Sequence, residues 1–301
     1  MDGLPDELME EVLGKLEENE DKLSAALTCR RFLTAIHKKL PLATAICVQF
    51  SGNHSECGAS VKVYCKRRNE YLGAVLTVCQ CESNGCTQMM HLVLPRLSKD
   101  VSSLSLEDEL IGERLSDSAA HAILDGCSSA PLSSISFEHV DFSAVRPWTL
   151  ALIASFHRLQ EVHLLSCILP DGLLLRALAA SMQTLRCLSV TDSSLVSDKL
   201  CSALARGAPC LEEISIRGCH GVTAASLVPL LEAAGRRRGQ QLTVRMEETG
   251  FNAEHLERCM RSSLMPSGKE WAVTRMRMEL GYATPVLLLT HPSGKAILVY
   301  D

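Results

Sequence analysis

Apolar residues recur along this chain in two distinct rhythms. From residue 4 to residue 40 the rhythm is helical: Leu8, Met9, Val12, Leu13 and Leu16 share one face, and Leu23, Ala26, Leu27, Phe32, Leu33 and Ile36 share another. Pro5 suits a first helical turn, and Asp6 and Glu7 beside it suit the positive end of the helix dipole. The polar stretch Glu17 to Asp21 separates the first helix from two shorter ones. Three helices in so few residues bury too little surface to stand alone. The pattern predicts a module that completes its core on a partner.

Between residues 101 and 246 the rhythm changes to the phrase L-x-x-L-x-L. It reads Val101-x-x-Leu104-x-Leu106, Leu132-x-x-Ile135-x-Phe137, Leu159-x-x-Val162-x-Leu164, Leu185-x-x-Leu188-x-Val190 and Leu211-x-x-Ile214-x-Ile216, with starts 31, 27, 26 and 26 residues apart. Between the phrases lie amphipathic stretches opened by small polar residues: Ser116-Asp117, Ser197-Asp198 and Thr223 are natural N-caps. Each unit therefore reads as one short strand and one helix. Ala43-x-x-Ile46-x-Val48 and Gly73-x-x-Leu76-x-Val78 fit the phrase loosely upstream, and Leu242, Val244 and Val273-x-x-Met276-x-Met278 continue it downstream. Irregular outer units are expected where end repeats cap a stack. The tail predicts a helix from about Asn252, with Asn252 as its cap and Phe251 stapled to Leu256. It closes with a hairpin whose arms are 286–289 and 296–300.

Composition narrows the picture. Aromatic residues make up only 4%, so the core is aliphatic, as in stacks of repeated Leu-sized pockets. A net charge of -5 provides no basic field for a polyanion, and nucleic acid is not an expected partner. The polar, acidic N-terminus is unlike a secretory leader, and no apolar run reaches the length of a membrane span. The chain is expected to be soluble, cytoplasmic and/or nuclear, with its 14 Cys mostly reduced thiols packed as small hydrophobes.

Leu4-Pro5-Asp6-Glu7-Leu8, Val12-Leu13, Leu16 and Leu27-Thr28-Cys29-Arg30-Arg31-Phe32 resemble an F-box. Thr28 and Phe32 stand where that family usually has Val and Trp, a departure expected to weaken the adaptor contact. The units from 101 to 246 resemble cysteine-containing leucine-rich repeats, with Cys167 and Cys219 in the Cys place and Cys81 there in a weaker unit. Val140, Ser193 and Glu109 occupy that place elsewhere, so those turns need another donor or a water. The resemblance implies an α/β fold: a horseshoe with short parallel strands inside and helices outside, preceded by a small all-α module. The implied layout is a helical module at 1–40, irregular N-terminal repeats at 41–100, leucine-rich repeats at 101–250, and a capping helix with a hairpin at 251–301.

The same resemblance implies a substrate receptor of a Skp-cullin-F-box ubiquitin ligase. A Skp-family adaptor, and through it a cullin, would dock on Leu4, Pro5, Leu8, Leu27 and Phe32, and an unknown protein substrate would lie on the concave face. The alternative is a repeat scaffold that binds protein without any ligase. No cofactor is implied. No G-x-S-x-G, G-x-x-x-x-G-K-[ST] or H-E-x-x-H is found, so the expectation is a non-catalytic subunit.

Strand side chains alternate between faces, so the repeat register assigns the variable positions to the concave surface. The expected binding residues there are Glu107, Glu138, Glu161, His163, Thr191, Arg217 and Arg245, in company with Ser105, Asp108, Ser136, His139, Ser189, Asp192, Ser215 and Thr243. On this reading the face is acidic toward its N-terminal units and basic toward its C-terminal ones, which would set the direction of a bound peptide. Cys57, Cys65, Cys79, Cys81 and Cys86, with His54 and His91, lack the paired C-x(2-4)-C spacing of structural zinc, and no metal is expected. Arg236 to Arg238 read as a solvated helix end.

Overall fold

The computed structural model describes Glu11, Lys15, and residues 43–53, 56–67, 70–79, 94–95, 101–108, 114–169, 173–192, 198–219, 222–236, 241–249, 252–261, 271–279, 283–291 and 294–300. The helical module expected at 1–40 lies outside them, apart from Glu11 and Lys15, both helical and 3.4 Å apart as an i,i+4 ion pair. The fold is α/β. The strand order β10-β11-β12-β9-β8-β7-β6-β5-β4-β1-β2-β3 runs through one sheet built of β1 (Ala43–Asn53), β2 (Glu56–Arg67), β3 (Glu70–Cys79), β4 (Ser103–Asp108), β5 (Ser134–Glu138), β6 (Glu161–Leu165), β7 (Cys187–Thr191), β8 (Glu213–Arg217), β9 (Gln241–Glu247), β10 (Ala272–Glu279), β11 (Ala283–His291) and β12 (Gly294–Tyr300).

From β4 to β9 each strand pairs in parallel with the next in chain order. Between them lie α1 (Asp117–Gly126), α2 (Pro147–Leu150) with a 3-10 turn (Ala151–Ser155), α3 (Leu173–Ala179), α4 (Asp198–Gly207) and α5 (Ala224–Arg236), and α6 (Ala253–Arg261) follows β9. The L-x-L positions are what fix the register. Leu104, Ile135, Val162, Leu188, Ile214 and Val244 form one row across the sheet, and Leu106, Phe137, Leu164, Val190, Ile216 and Met246 form the next. All twelve are at most 2% exposed. Slipping any strand by one residue would turn its pair of apolar side chains out of the core, a loss of about 1.5–3 kcal/mol per side chain. The first apolar residue of each phrase, Val101, Leu132, Leu159, Leu185 and Leu211, is buried just ahead of its strand.

Local signals behave as the residue types dictate. Ser116 accepts the Ala119 amide at 3.2 Å, and Asn252 accepts the His255 amide at 2.9 Å, each capping the helix that follows. At the start of α5 the Thr223 amide donates to Ser226 Oγ at 3.0 Å, the return half of a capping box. After the strands the chain turns on a residue with positive φ: His139 (59°), Ser166 (49°), Asp192 (50°), Gly218 (62°) and Glu248 (54°). The first four donate their amides to the carbonyls of Leu165, Thr191, Arg217 and Glu247, at the end of the next strand. The residue after the turn carries the cysteine of two units. Cys167 Sγ lies 3.1 Å from the Phe137 carbonyl, and Cys219 Sγ lies 3.2 Å from the Arg217 carbonyl. Cys81, Ser193 and Glu109 lie outside the described residues, and Val140 is buried in that place with its carbonyl taken by the Ile168 amide at 3.1 Å.

The two margins depart from the repeat reading. Ala43-x-x-Ile46-x-Val48 does pair in parallel, Ile46 opposite Leu104 and Val48 opposite Leu106. Gly73-x-x-Leu76-x-Val78, however, lies in β3, and β1, β2 and β3 form an antiparallel meander instead of further strand-helix units. The physical reason is connection length: a crossover between parallel strands takes a dozen or more residues, and only two separate β1 from β2 and β2 from β3. At the other margin the β11–β12 hairpin forms as read, but β12 takes the place beside β9 and pairs with it in parallel. The phrase at Val273 to Met278 belongs to β10, antiparallel at the outer edge.

Candidate functional site

Among the described residues the helices cover one face of the sheet and leave the other open. α4 packs on α5 and α5 on α6, so these helices lie side by side over the buried rows. The alternate strand positions form three rows on the open face. The first holds Ser103, Ser134, Glu161, Cys187, Glu213 and Thr243; the second holds Ser105, Ser136, His163, Ser189, Ser215 and Arg245. The third begins on β1 with Gln49 and continues through Glu107, Glu138, Leu165, Thr191, Arg217 and Glu247. Glu107, Glu138, Glu161, His163, Thr191, Arg217 and Arg245 therefore all stand on this one face, spread over its rows. The strand pleat brings them to one side although they are scattered along the sequence.

Small hydroxyls orient the carboxylates at the N-terminal end. Ser105 donates to Glu107 at 3.0 Å and Gln49 Nε2 donates to the other oxygen at 2.6 Å. Ser136 repeats the arrangement on Glu138 at 3.2 Å, and His163 lies 3.9 Å from Glu161. These hydrogen bonds hold the Glu107 and Glu138 carboxylates in place.

The C-terminal end is not basic. Arg245 Nε donates to Glu213 at 2.8 Å, and Arg217 pairs with Glu248 at 2.9 Å and Glu247 at 4.0 Å. The Glu248 bond and the flanking carboxylates raise the Arg217 pKa. Glu213, Glu247 and Glu248 thus offset the two guanidiniums, and the C-terminal end lacks the net basic charge expected of it. Sequence reading overlooked Glu213 and Glu247 although the register locates both: Glu213 has the offset of Glu161 in its phrase, and Glu247 that of Glu107 and Glu138. Gln49 and Cys187 were missed in the same way. Asp108 also needs correction, because it falls on the inward side of β4 and is 5% exposed. His139 is off the face as well: it is the positive-φ residue after β5, and its Nδ1 is buried.

Four of the described thiols are poorly suited to nucleophilic chemistry. Burial pushes the thiol pKa up to about 12 at Cys127 and Cys201, and to about 11 at Cys167 and, with help from Glu213 and Glu161, at Cys187. Thiolate is the reactive form, so each is a poor nucleophile near neutrality. The described residues contain no group of three or more His, Cys, Asp or Glu side chains able to hold a metal ion. Cys57 and Cys65 lie eight residues apart along β2, about 26 Å at strand rise, so they do not share one site. Cys79 follows on β3; Cys81, Cys86, His54 and His91 lie outside the described residues. Leu4, Pro5, Leu8, Thr28, Leu27 and Phe32 also lie outside them.

Among the described residues no helix is long and apolar enough to cross a membrane. No protein-family model matches the chain, and no curated protein matches it.

Proposed function

We propose that this chain is the substrate-recognition subunit of a Skp-cullin-F-box-type ubiquitin ligase, with residues 101–250 forming a leucine-rich-repeat horseshoe whose concave surface is the open face of the sheet. The observation that carries the reading is the recurrence of one unit on one frame. The same apolar register, the same positive-φ turn and, in two units, the same thiol on a strand carbonyl recur, while the open-face side chains differ from unit to unit. A constant frame under a varied surface is how repeat proteins present binding sites.

In this reading the N-terminal module docks on a Skp-family adaptor through Leu4, Pro5, Leu8, Leu27 and Phe32, and the substrate lies across Glu107, Glu138, Glu161, His163, Thr191, Arg217 and Arg245. The chain itself makes and breaks no covalent bond. It raises the local concentration of substrate lysines near a charged carrier enzyme held by other subunits, and its contribution to rate is proximity. The test is capture of a purified Skp-family adaptor by the full chain. The wild type retains adaptor at micromolar concentrations, and Leu4→Ala with Pro5→Ala, which removes about 2–4 kcal/mol of buried contact, abolishes retention while the sheet stays folded. A wild-type chain that retains no adaptor leaves a repeat scaffold without a ligase.

A further inference from the structure

The two outermost strands end the sheet in different ways. β10, beside β11, carries Arg275, Arg277 and Glu279 at alternate positions. Arg275 is in register with Leu287 and, through it, with the buried Leu298 and Val244, and its Nε donates to Glu257 of α6 at 2.9 Å. Charge placed on the covered side of an outer strand guards that edge against pairing with another chain. β3, at the opposite end, has no such guard. From Tyr71 to Cys79 it contains no charged residue and no proline, and its one charge, Glu70, is in register with Arg67 next to the link with β2. It runs for 10 residues, twice the length of β5 to β8, so the repeat unit does not set its length.

Ala74 and Leu76 stand in line, across Val63 and Val61 of β2, with the buried Ile46 and Val48 of β1, and Leu72 and Val78 share their side of the strand. Among the described residues β3 pairs only with β2, so the N–H and C=O groups along its other side form a row about 27 Å long that a further strand would satisfy. We propose that β3 of a second copy supplies this strand, antiparallel and centred on Val75, so that one sheet runs through a twofold dimer. Self-complementarity selects the register. Centring on Val75 pairs the strand from Tyr71 to Cys79 end to end, with Leu72 opposite Val78, Ala74 opposite Leu76 and Val75 opposite its own copy. Every such pair keeps its parity, so the helix side meets the helix side, and no like charges face each other. Pairing β3 with β10 of another copy would instead run head to tail, close no dimer, and set Arg275 and Arg277 against an apolar strand. The pairing does not depend on the ligase reading.

Sedimentation equilibrium of the full chain tests the pairing. The wild type self-associates at micromolar concentrations. Val75→Lys and Val75→Glu each weaken association at least tenfold, because like charges then stand directly opposite across the twofold axis, and an equal mixture of the two restores it. That rescue is specific to the register, and it shows as well that both variants are folded. Thr274→Lys, on β10, leaves association unchanged. Amide hydrogen exchange of residues 71–79 slows as the wild-type concentration rises and does not slow in Val75→Lys. A wild type that stays monomeric, Val75 variants that associate like the parent, a mixture of the two that fails to associate, or dispersal by Thr274→Lys overturns the pairing.

Discussion

Replacing Cys167 separates what its thiol contributes as a donor from what it contributes as volume. Its Sγ lies 3.1 Å from the Phe137 carbonyl and 3.4 Å from the Leu165 carbonyl, so one proton is shared between two backbone acceptors at the end of two neighbouring strands. Cys167→Val fills the site without a donor, as Val140 does in the unit before, and loses only the hydrogen bond, about 1 kcal/mol. Cys167→Ala loses the bond and leaves a void the size of a sulfur atom, which brings the cost to about 2 kcal/mol. Cys201→Ala is the control, because it removes the same sulfur from the buried face of α4 instead of from a turn, and it costs about 1 kcal/mol. Urea titrations followed by far-UV circular dichroism measure the differences, provided the slopes agree. If Cys167→Val is as stable as the parent and Cys167→Ala no worse than Cys201→Ala, the thiol is packing alone and the turn-bonding argument fails.

Gly218 turns at φ 62°, and a Cβ there would overlap Asp192 Oδ1 and lie 3.1 Å from its Cγ, so Gly218→Ala destabilises by about 1–2 kcal/mol in the same titration while Asp192→Ala in that background recovers part of the loss. Stability falls on the alkaline side: the unfolded thiols ionise near pH 8.5, whereas those of Cys127 and Cys201 in the fold hold their protons to about 12, so the contribution is complete below about pH 8.5 and is lost as pH rises toward 12. A flat stability profile across that window refutes the assignment. At Asp117 burial pushes the carboxyl pKa up but is outweighed by the Arg146 amide, the Thr149 hydroxyl and the Arg146 charge, so its net value is lowered; its contribution is present above about pH 4 and lost below, and Asp117→Ala flattens that acid limb. On the open face Arg245→Ala frees Glu213 and strengthens capture of a lysine-rich peptide, read by fluorescence anisotropy, whereas tighter capture of an acidic peptide would show that the face is basic after all.

The parallel part of this protein was legible in its apolar spacing alone. The L-x-x-L-x-L phrase left each strand only one register that buries both of its inner side chains, and Ser116, Thr223 and Asn252 marked helix starts through their own capping chemistry. Those are local or strictly periodic signals, readable without knowing what lies across the core. The composition of the open face was half legible: Glu107, Glu138, Glu161, His163, Thr191, Arg217 and Arg245 follow from strand parity, and so do Glu213 and Glu247 once parity is applied to every unit.

Pairing, by contrast, depended on the folded sheet. The positive charges of Arg217 and Arg245 are offset because Glu248 and Glu213 are about thirty residues away in the chain and on or just past a neighbouring strand in space. Charge at a surface is a sum over neighbours, and the sheet chooses the neighbours. The margins were settled in the same way. The phrase at Gly73, a loose fit, and that at Val273 continue the apolar period, yet both strands pair antiparallel, because a two-residue link permits a hairpin and β12 occupies the edge of β9. Periodicity specifies which side of a strand is buried; the connections and the competition for each open edge specify which strand lies beside it.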